Sequence, residues 1–168
     1  RGVYLACIPE YEFSHRDQYR RFCVSFDREV HSFFCDVVTS LRFSYDWQRN
    51  SVLNLQHLAQ SYPVGRLLGK WANRPAIVVS AGPSLDKNMH LLREAQGRAV
   101  IIAVGTTAPK FLTSDIRPDF FIAFDGGLDN YLAHFSKRTA SEVPLIFDPI
   151  IHHAVLDAWQ GPKVIMRM

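Results

Sequence analysis

The sequence predicts an α/β protein, in which a Rossmann-like, mostly parallel sheet with flanking helices follows an N-terminal helical arm. Two observations support this prediction. No glycine or proline occurs between Glu10 and Tyr62, which is typical of helices. From Arg74 onward, short apolar runs alternate with amphipathic stretches, as in parallel βαβ units. We therefore expect a helical arm at residues 1–73 and a Rossmann-like half-domain at residues 74–168.

The arm is predicted to contain helices with one apolar face. Eight apolar residues recur at steps of three and four: Phe22, Phe26, Val30, Phe33, Phe34, Val37, Val38 and Leu41. We expect this stripe to be a packing face, and a role in stacking against a ligand is the alternative. A second helix is predicted from about Asn50 to Ser61, and a short third one from Val64 to Trp71.

The half-domain is predicted to contain five parallel strands that are buried on both faces, because each one is a continuous apolar run. The runs are AIVVS, AVIIAVG, DFFIAFD, PLIF and KVIM. Helices are predicted between them, near Leu85–Gln96, Ala108–Thr113, Leu128–Phe135 and Ala154–Trp159. Ligands of such sheets bind outside the carboxyl ends of the strands, at a switch point in the strand order. The segments that follow the strands are therefore the candidate sites.

The composition excludes several classes of protein. The net charge of +3 is small and its basic residues are dispersed, so no nucleic-acid partner is expected. Three cysteines without a CxxC pair do not predict a disulfide framework or a zinc knuckle. Without a long apolar run or a signal-peptide pattern, we expect no membrane span and a cytoplasmic protein.

The segment AGPSLD follows the first predicted strand and is the first candidate site. Gly82 can take positive φ and lets a ligand approach the backbone closely. Pro83 suits the first turn of a helix, and Ser84 suits either a helix cap or a hydroxyl contact with phosphate. The free amides of Ser84 and Leu85, at the positive end of a helix dipole, predict an anion site. Asp86 would repel a phosphate unless a metal or a ribose hydroxyl lies between them.

This segment differs from the common glycine-rich phosphate motifs. It lacks the later glycines of GxGxxG, and the chain contains neither GKS nor GKT. A simple NAD dehydrogenase and a Walker-type ATPase are therefore disfavoured. A plain strand-to-helix turn, in which proline and serine only start the helix, is the alternative interpretation.

Polar residues also follow the later strands. Gly105, Thr106 and Thr107 suit close contact with a sugar or a phosphate, and the alternative is a helix cap by one of the threonines. Asp125 ends the third strand before two glycines, so it could hold a divalent metal, a ribose or the substrate. The alternative is a turn aspartate. His153 is a weaker candidate, as a general acid or base or as a phosphate ligand, and a solvated loop histidine is the alternative.

Two stretches resemble a known family. PAIVVSAGPSLDKN and AVIIAVGTTAPKFLTSDIRPDFFIAFD are similar to the central domain of bacterial motility accessory factor proteins and to the related archaeal 6-hydroxymethylpterin diphosphokinase-like proteins. The resemblance covers residues 51–168 and extends distantly to bacterial sialyltransferases. It implies glycosyl transfer from a CMP-activated nonulosonic sugar to a protein acceptor such as flagellin. The alternative that it implies is diphosphate transfer from ATP, with magnesium, to a hydroxymethylpterin.

The resemblance also implies where the nucleotide binds. Its phosphates or ribose are expected near Gly82–Asp86, Gly105–Thr107 and Asp125, with Asp125 as the candidate magnesium ligand. In the family the domain continues past the fifth strand, so we expect a missing C-terminal half to complete the pocket. A non-catalytic binding or scaffold module is the remaining alternative, because a fold alone does not establish an activity.

Overall fold

The computed structural model describes residues 4–6, 8–136 and 141–166, and the chain divides into two compact units, Arg1–Arg42 and Phe43–Met168. The ends of the arm and the half-domain expected from the sequence, residues 1–3 and 167–168, thus lie outside the described residues. Helix α1 spans Pro9–Ser14 and begins at a proline, and helix α2 spans Arg16–Leu53.

The apolar stripe of the arm is exposed. Phe33 keeps 64% of its surface accessible and Leu41 keeps 75%, and three further members are also more than half exposed: Phe22, Phe34 and Val38. The expected packing face is therefore wrong for these five residues. A helix face is buried only where another element covers it, and these five side chains are more than half exposed in the part of the chain that the structure describes.

The remaining helical predictions for the arm are partly wrong. The predicted second helix is divided between the end of α2 and helix α3, which spans Leu55–Gln60. The predicted helix at Val64–Trp71 is only a 3-10 turn over Val64–Leu67. It follows a two-residue strand, β1 (Tyr62–Pro63), which is too short to leave a pattern in the sequence.

The parallel sheet is confirmed, with six strands in the order β1-β6-β5-β4-β3-β2. The later strands are β2 (Ala76–Val79), β3 (Val100–Val104), β4 (Phe120–Ala123), β5 (Leu145–Phe147) and β6 (Lys163–Ile165). Burial on both faces is wrong for β2, because this strand lies at the edge of the sheet. Its Val78 is 69% exposed.

Helices follow the strands as expected, with one change. The predicted helix near Leu85–Gln96 is broken into α4 and α5 by a 3-10 turn at Met89–Leu91. The helices of this part are α4 (Pro83–Asn88), α5 (Leu92–Ala95), α6 (Ala108–Leu112), α7 (Leu128–His134) and α8 (His153–Ala158). No helix of the described residues combines the length and the apolar composition needed to cross a membrane.

The two faces of the sheet are covered differently. Alternate strand residues such as Phe121 and Leu145 pack on one face against helices α3 to α8. Their neighbours, such as Phe120, pack on the other face against the segment from Val64 to Trp71. Strands β2 to β6 lie side by side in chain order, so the helices that connect them lie on one face of the sheet. The chain runs along the other face in the connection from β1 to β2. The expected switch point therefore does not lie between the strands that carry the candidate loops.

Candidate functional site

A cavity of about 170 Å³ lies at the carboxyl ends of β3 and β4. Its lining includes Gly105 and Thr106 after β3, and Asp125 and Asn130 after β4. Strands β2, β3 and β4 are neighbours in the sheet, and adjacent strands lie about 4.8 Å apart. Their three following segments therefore share one edge of the sheet, as the sequence predicted for the candidate residues.

Asp125 is exposed at this cavity and belongs to a segment that we name the Asp125 loop, residues 124–130, which includes the first turn of helix α7. Its Oδ1 accepts a hydrogen bond from the Gly127 amide at 2.8 Å, and its Oδ2 accepts one from Asn130 Nδ2 at 3.0 Å. An ionised carboxylate offers about four lone-pair sites, so each oxygen retains capacity for a further partner. The loop thus orients a carboxylate that still has room for a cation or a hydroxyl.

The magnesium that the resemblance implies can be tested against these donors. No group of three or more histidine, cysteine, aspartate or glutamate side chains within the described ranges is placed to hold a metal ion. Magnesium is commonly bound by one or two carboxylates together with substrate phosphates and water. Asp125 therefore fits a magnesium ion that arrives with a nucleotide, and it does not form a metal centre by itself.

The three residues after β3 have different roles. Gly105 is required by packing, because a Cβ there would lie 2.7 Å from Phe135 Cζ and 2.9 Å from Ala123 Cβ. Thr107 is fully buried, and its hydroxyl donates to the Val104 carbonyl at 2.6 Å. The structure thus gives Thr107 a packing role in place of the expected ligand contact. Only Thr106 presents a hydroxyl-bearing side chain among the cavity residues after β3.

The AGPSLD segment departs from the expected backbone. Pro83 does begin helix α4, as predicted. Gly82 has φ 165° and ψ 169°, an extended conformation that any residue can adopt, so it does not use the left-handed φ that is open to glycine. The Leu85 amide donates to the Gly82 carbonyl at 3.1 Å and its side chain is buried in the core, so the expected free amide is also wrong. The Ser84 amide alone remains from the anion site predicted there.

The polar side chains of the AGPSLD segment do not form the helix cap that the sequence offered as one interpretation. Ser84 is exposed and makes no capping hydrogen bond, so the cap interpretation is wrong. It lines a second cavity of about 170 Å³ with Ser80 and Asn88. Asp86 forms an ion pair with Lys110 of helix α6, in which the Asp86 side chain is largely exposed and the Lys110 side chain is half-buried. Lys110 therefore places a cation beside a carboxylate that would otherwise repel phosphate.

The two histidines lie at the start of α8. His152 is buried and caps this helix, because its Nδ1 accepts from the Ala154 amide at 3.3 Å. Burial lowers the pKa of His152, and the neighbouring His153 lowers it further. His153 stacks on His152 with ring centroids 4.6 Å apart, and its Nδ1 lies 3.5 Å from Asn50 Oδ1. His153 is not among the residues that line the cavity beside Asp125.

Sequence reasoning missed four polar residues. Asn130 and Lys110 were not distinguished from ordinary surface residues of their helices. Asn50 and Asn54 are completely or almost completely buried, and their amides donate to the loops after β4 and β5. The sequence feature that could have indicated them is the spacing of four residues between Asn50 and Asn54, which places both on one face of a helical segment.

Comparison with known proteins identifies the family. The family model described as 6-hydroxymethylpterin diphosphokinase MptE-like matches residues 49–168. The chain belongs to this family. The resemblance expected from the sequence is thereby confirmed, and the MptE-like match covers every candidate residue discussed above, from Asn50 to His153.

Two individual proteins are similar to this MptE-like chain. An uncharacterized protein of Treponema pallidum (strain Nichols) is 32% identical over 100 residues, which are 60% of this chain and 47% of that protein. The chain thus spans about half the length of this relative. The structure of MAf glycosyltransferase from Magnetospirillum magneticum AMB-1 is 25% identical, over 58% of this chain and 16% of that one, with a TM-score of 0.45.

Proposed function

We propose that this MptE-like chain binds a nucleotide at the carboxyl edge of its sheet, as the nucleotide-binding part of a transferase. The observation that carries the proposal is the cavity between Thr106 and Asp125, which lies on the same sheet edge as the AGPSLD segment. Hydroxyls, a carboxylate and a cation are the groups that recognise ribose and phosphate.

We assign the AGPSLD segment and Lys110 to the phosphates of the nucleotide, and the cavity residues Thr106 and Asp125 to its ribose or to a magnesium ion. Gly82 has no packing reason to be glycine, since a Cβ there would meet nothing within 4 Å, and this supports close approach by a phosphate. The Ser84 hydroxyl and the ammonium of Lys110 would donate to phosphate oxygens. Thr106 and Asp125 would bind the ribose or a magnesium ion at the neighbouring cavity.

The first form of the proposal is glycosyl transfer from a CMP-activated nonulosonic sugar to a protein acceptor such as flagellin. In this reaction an acceptor hydroxyl oxygen forms a bond to the anomeric carbon of the sugar and loses its proton to water, while the bond from that carbon to the CMP phosphate breaks. CMP leaves, and negative charge develops on its phosphate. Ser84 and Lys110 would stabilise that charge, which is the usual way in which fixed donors accelerate such steps. The similarity of AGPSLD and of the following strand to motility accessory factors supports this form.

The second form is diphosphate transfer from ATP to a 6-hydroxymethylpterin, and the description of the matching family favours it. Phosphoryl transfer depends mainly on positioning and on electrostatic stabilisation of the phosphates. Here Asp125 would hold magnesium together with the phosphate oxygens, while Ser84 and Lys110 would contact the same phosphates. A magnesium ion would supply charge neutralisation when it is bound.

A nucleotide panel tests both forms. The melting temperature is measured with CMP, CDP, ATP, GDP and UDP, each with and without magnesium. We expect one nucleotide to stabilise the protein by about 2.7 kcal/mol when its concentration is 100 times Kd. A cytidine preference favours glycosyl transfer, and an ATP preference that needs magnesium and is lost in Asp125→Asn favours diphosphate transfer. If no nucleotide changes the melting temperature, the proposal fails and a non-catalytic module is left.

A further inference from the structure

Asn50, near the end of helix α2, and Asn54, between α2 and α3, are buried although their amides are polar. Asn50 is 1% exposed and Asn54 is 0% exposed. Asparagine is a poor helix former, and burying an amide costs about 1–3 kcal/mol unless it finds hydrogen-bond partners. At Asn50, inside helix α2, leucine or alanine would suit the position better if only the helix and its packing mattered. Such departures from local preference are expected where a polar group has a specific task.

The task of both amides is to hold carbonyl groups of the loops at the carboxyl edge of the sheet. Asn50 Nδ2 donates to the Gly126 carbonyl at 3.0 Å and to the Ile150 carbonyl at 3.2 Å. Asn54 Nδ2 donates to the Pro149 and Ile151 carbonyls, both at 2.9 Å. Each amide therefore uses both of its hydrogens on turn carbonyls, which lack partners in regular structure.

Asn50 differs from Asn54 in one respect that concerns the candidate site. Among the described residues, the Asn54 side-chain amide donates to carbonyls of the loop after β5, residues 148–152, whereas the Asn50 amide joins that loop to the Asp125 loop. The contact with the Asp125 loop is tight, because a Cβ on Gly126 would lie 3.2 Å from Asn50 Nδ2 and 2.5 Å from the Ile150 carbonyl oxygen. A hydrogen bond from Asn50 of helix α2 thus fixes Gly126, the residue next to Asp125.

We infer that Asn50 is a positioning residue that fixes the Asp125 loop and thereby aims the Asp125 carboxylate at the cavity. Its bond to the Gly126 carbonyl holds the peptide group between Gly126 and Gly127. The N–H of that same peptide group, on Gly127, donates to Asp125 Oδ1 at 2.8 Å, and Asn130 Nδ2 donates to Oδ2 at 3.0 Å. The carboxylate orientation therefore depends on Asn50, and the effect of Asn50 on ligand affinity rests on the proposed nucleotide function.

Asn50→Ala and Asn54→Ala form a matched pair for the test, because each removes one buried amide with two bonds to turn carbonyls. The first readout is hydrogen exchange over residues 124–131, compared at equal global stability by adding urea to the more stable variant. We expect this segment to exchange at least tenfold faster in Asn50→Ala than in Asn54→Ala. Equal exchange in the two variants overturns the positioning role, whatever ligand binds. Asn50→Ser replaces Asn50→Ala if the latter does not fold.

The second readout is the Kd of the nucleotide from the panel that stabilises the wild-type protein most. We expect Kd to rise at least tenfold in Asn50→Ala and less than threefold in Asn54→Ala. Equal losses of affinity in both variants contradict a specific role for Asn50 in binding. If the wild-type protein binds no nucleotide, the proposed function fails, and the exchange measurement still decides whether Asn50 positions the loop.

Discussion

The AGPSLD segment and the Asp125 loop carry the two halves of the candidate site, and the chain supports them very differently. Gly82 has open space around it and Ser84 is exposed. In contrast, Gly126 is enclosed by the Ile150 carbonyl, Trp47 and Asn50, all within 3.2 Å of where its Cβ would lie. The Asp125 loop therefore owes its shape to contacts within the protein, while Gly82 and Ser84 of AGPSLD keep open space around them, as the proposed function requires.

The largest expected difference is in stability, and it compares alanine at the two glycines. Gly126→Ala should lower the free energy of unfolding by about 3 kcal/mol, near the upper end for overpacking, because a rigid backbone carbonyl occupies the space. Gly82→Ala should change it by less than about 0.5 kcal/mol, since the backbone is extended and nothing lies near. Urea unfolding of the two variants measures both values.

A matched control is Gly105→Ala, where the obstacle is the ring edge of Phe135 and the methyl group of Ala123. Side chains yield more readily than a backbone carbonyl, so its loss of stability should fall between the other two. A large loss in Gly82→Ala would contradict the comparison, because it would show that this glycine is required by the fold.

The difference between the loops also explains which features the sequence could predict. Apolar runs and the proline at Pro83 predict strands and a helix start, because these depend on residues close in sequence. The parallel sheet and the helices α6 to α8 were predicted in this way. Contacts between distant residues leave no such pattern, so the roles of Asn50 and Lys110 were missed. The packing roles of Gly105 and Thr107 depend on neighbours in space for the same reason.

The arm and strand β2 show the limit of the hydrophobic pattern itself. An apolar stripe predicts a face that can be buried, but it does not show whether another element covers it. Phe33 and Val78 are both exposed although their surroundings in the sequence resemble buried positions. The pattern therefore predicts the helix and the strand correctly, while burial also depends on the position of each element in the fold.

The next effect is on affinity and concerns Ser84 alone. If its hydroxyl donates to a phosphate, Ser84→Ala should weaken nucleotide binding by about 1.5 kcal/mol, roughly tenfold in Kd. Stability should change by less than about 0.5 kcal/mol, because the hydroxyl makes no capping bond. Titration calorimetry and urea unfolding of the same variant measure the two quantities.

Thr107→Val is the matched control for the hydroxyl at Ser84. It removes a buried hydroxyl that donates to the Val104 carbonyl, so stability should fall by about 1 kcal/mol while Kd stays unchanged. The reverse pattern, with stability lost in Ser84→Ala and affinity lost in Thr107→Val, would show that the roles assigned to these two segments are interchanged.

The smallest expected effect is a pH dependence that affects the Asp125 loop and spares the AGPSLD segment. Burial lowers the pKa of His152 below its ordinary value, with further lowering by His153 and Arg49 and opposition from Asp46 and Asp157. The unfolded chain, with a histidine pKa of about 6.5, therefore binds more protons than the folded one as the pH falls below that value. The free energy of unfolding should accordingly decrease as the pH falls below about 6.5. This decrease should end once the pH is below the lowered pKa of His152 in the folded protein.

Protonation of His152 should change the structure locally, so we expect the Asp125 loop and the AGPSLD segment to respond differently to acid. Protonated His152 cannot accept from the Ala154 amide through Nδ1, and its own backbone amide bonds the Asp125 carbonyl at 3.4 Å. Acid should therefore speed hydrogen exchange at residues 124–131 more than at residues 81–88. His152→Asn keeps a capping side chain that does not titrate in this range, so its stability should depend less on pH between 7 and 5. An identical pH dependence in both proteins would mean that His152 does not couple acid to this loop.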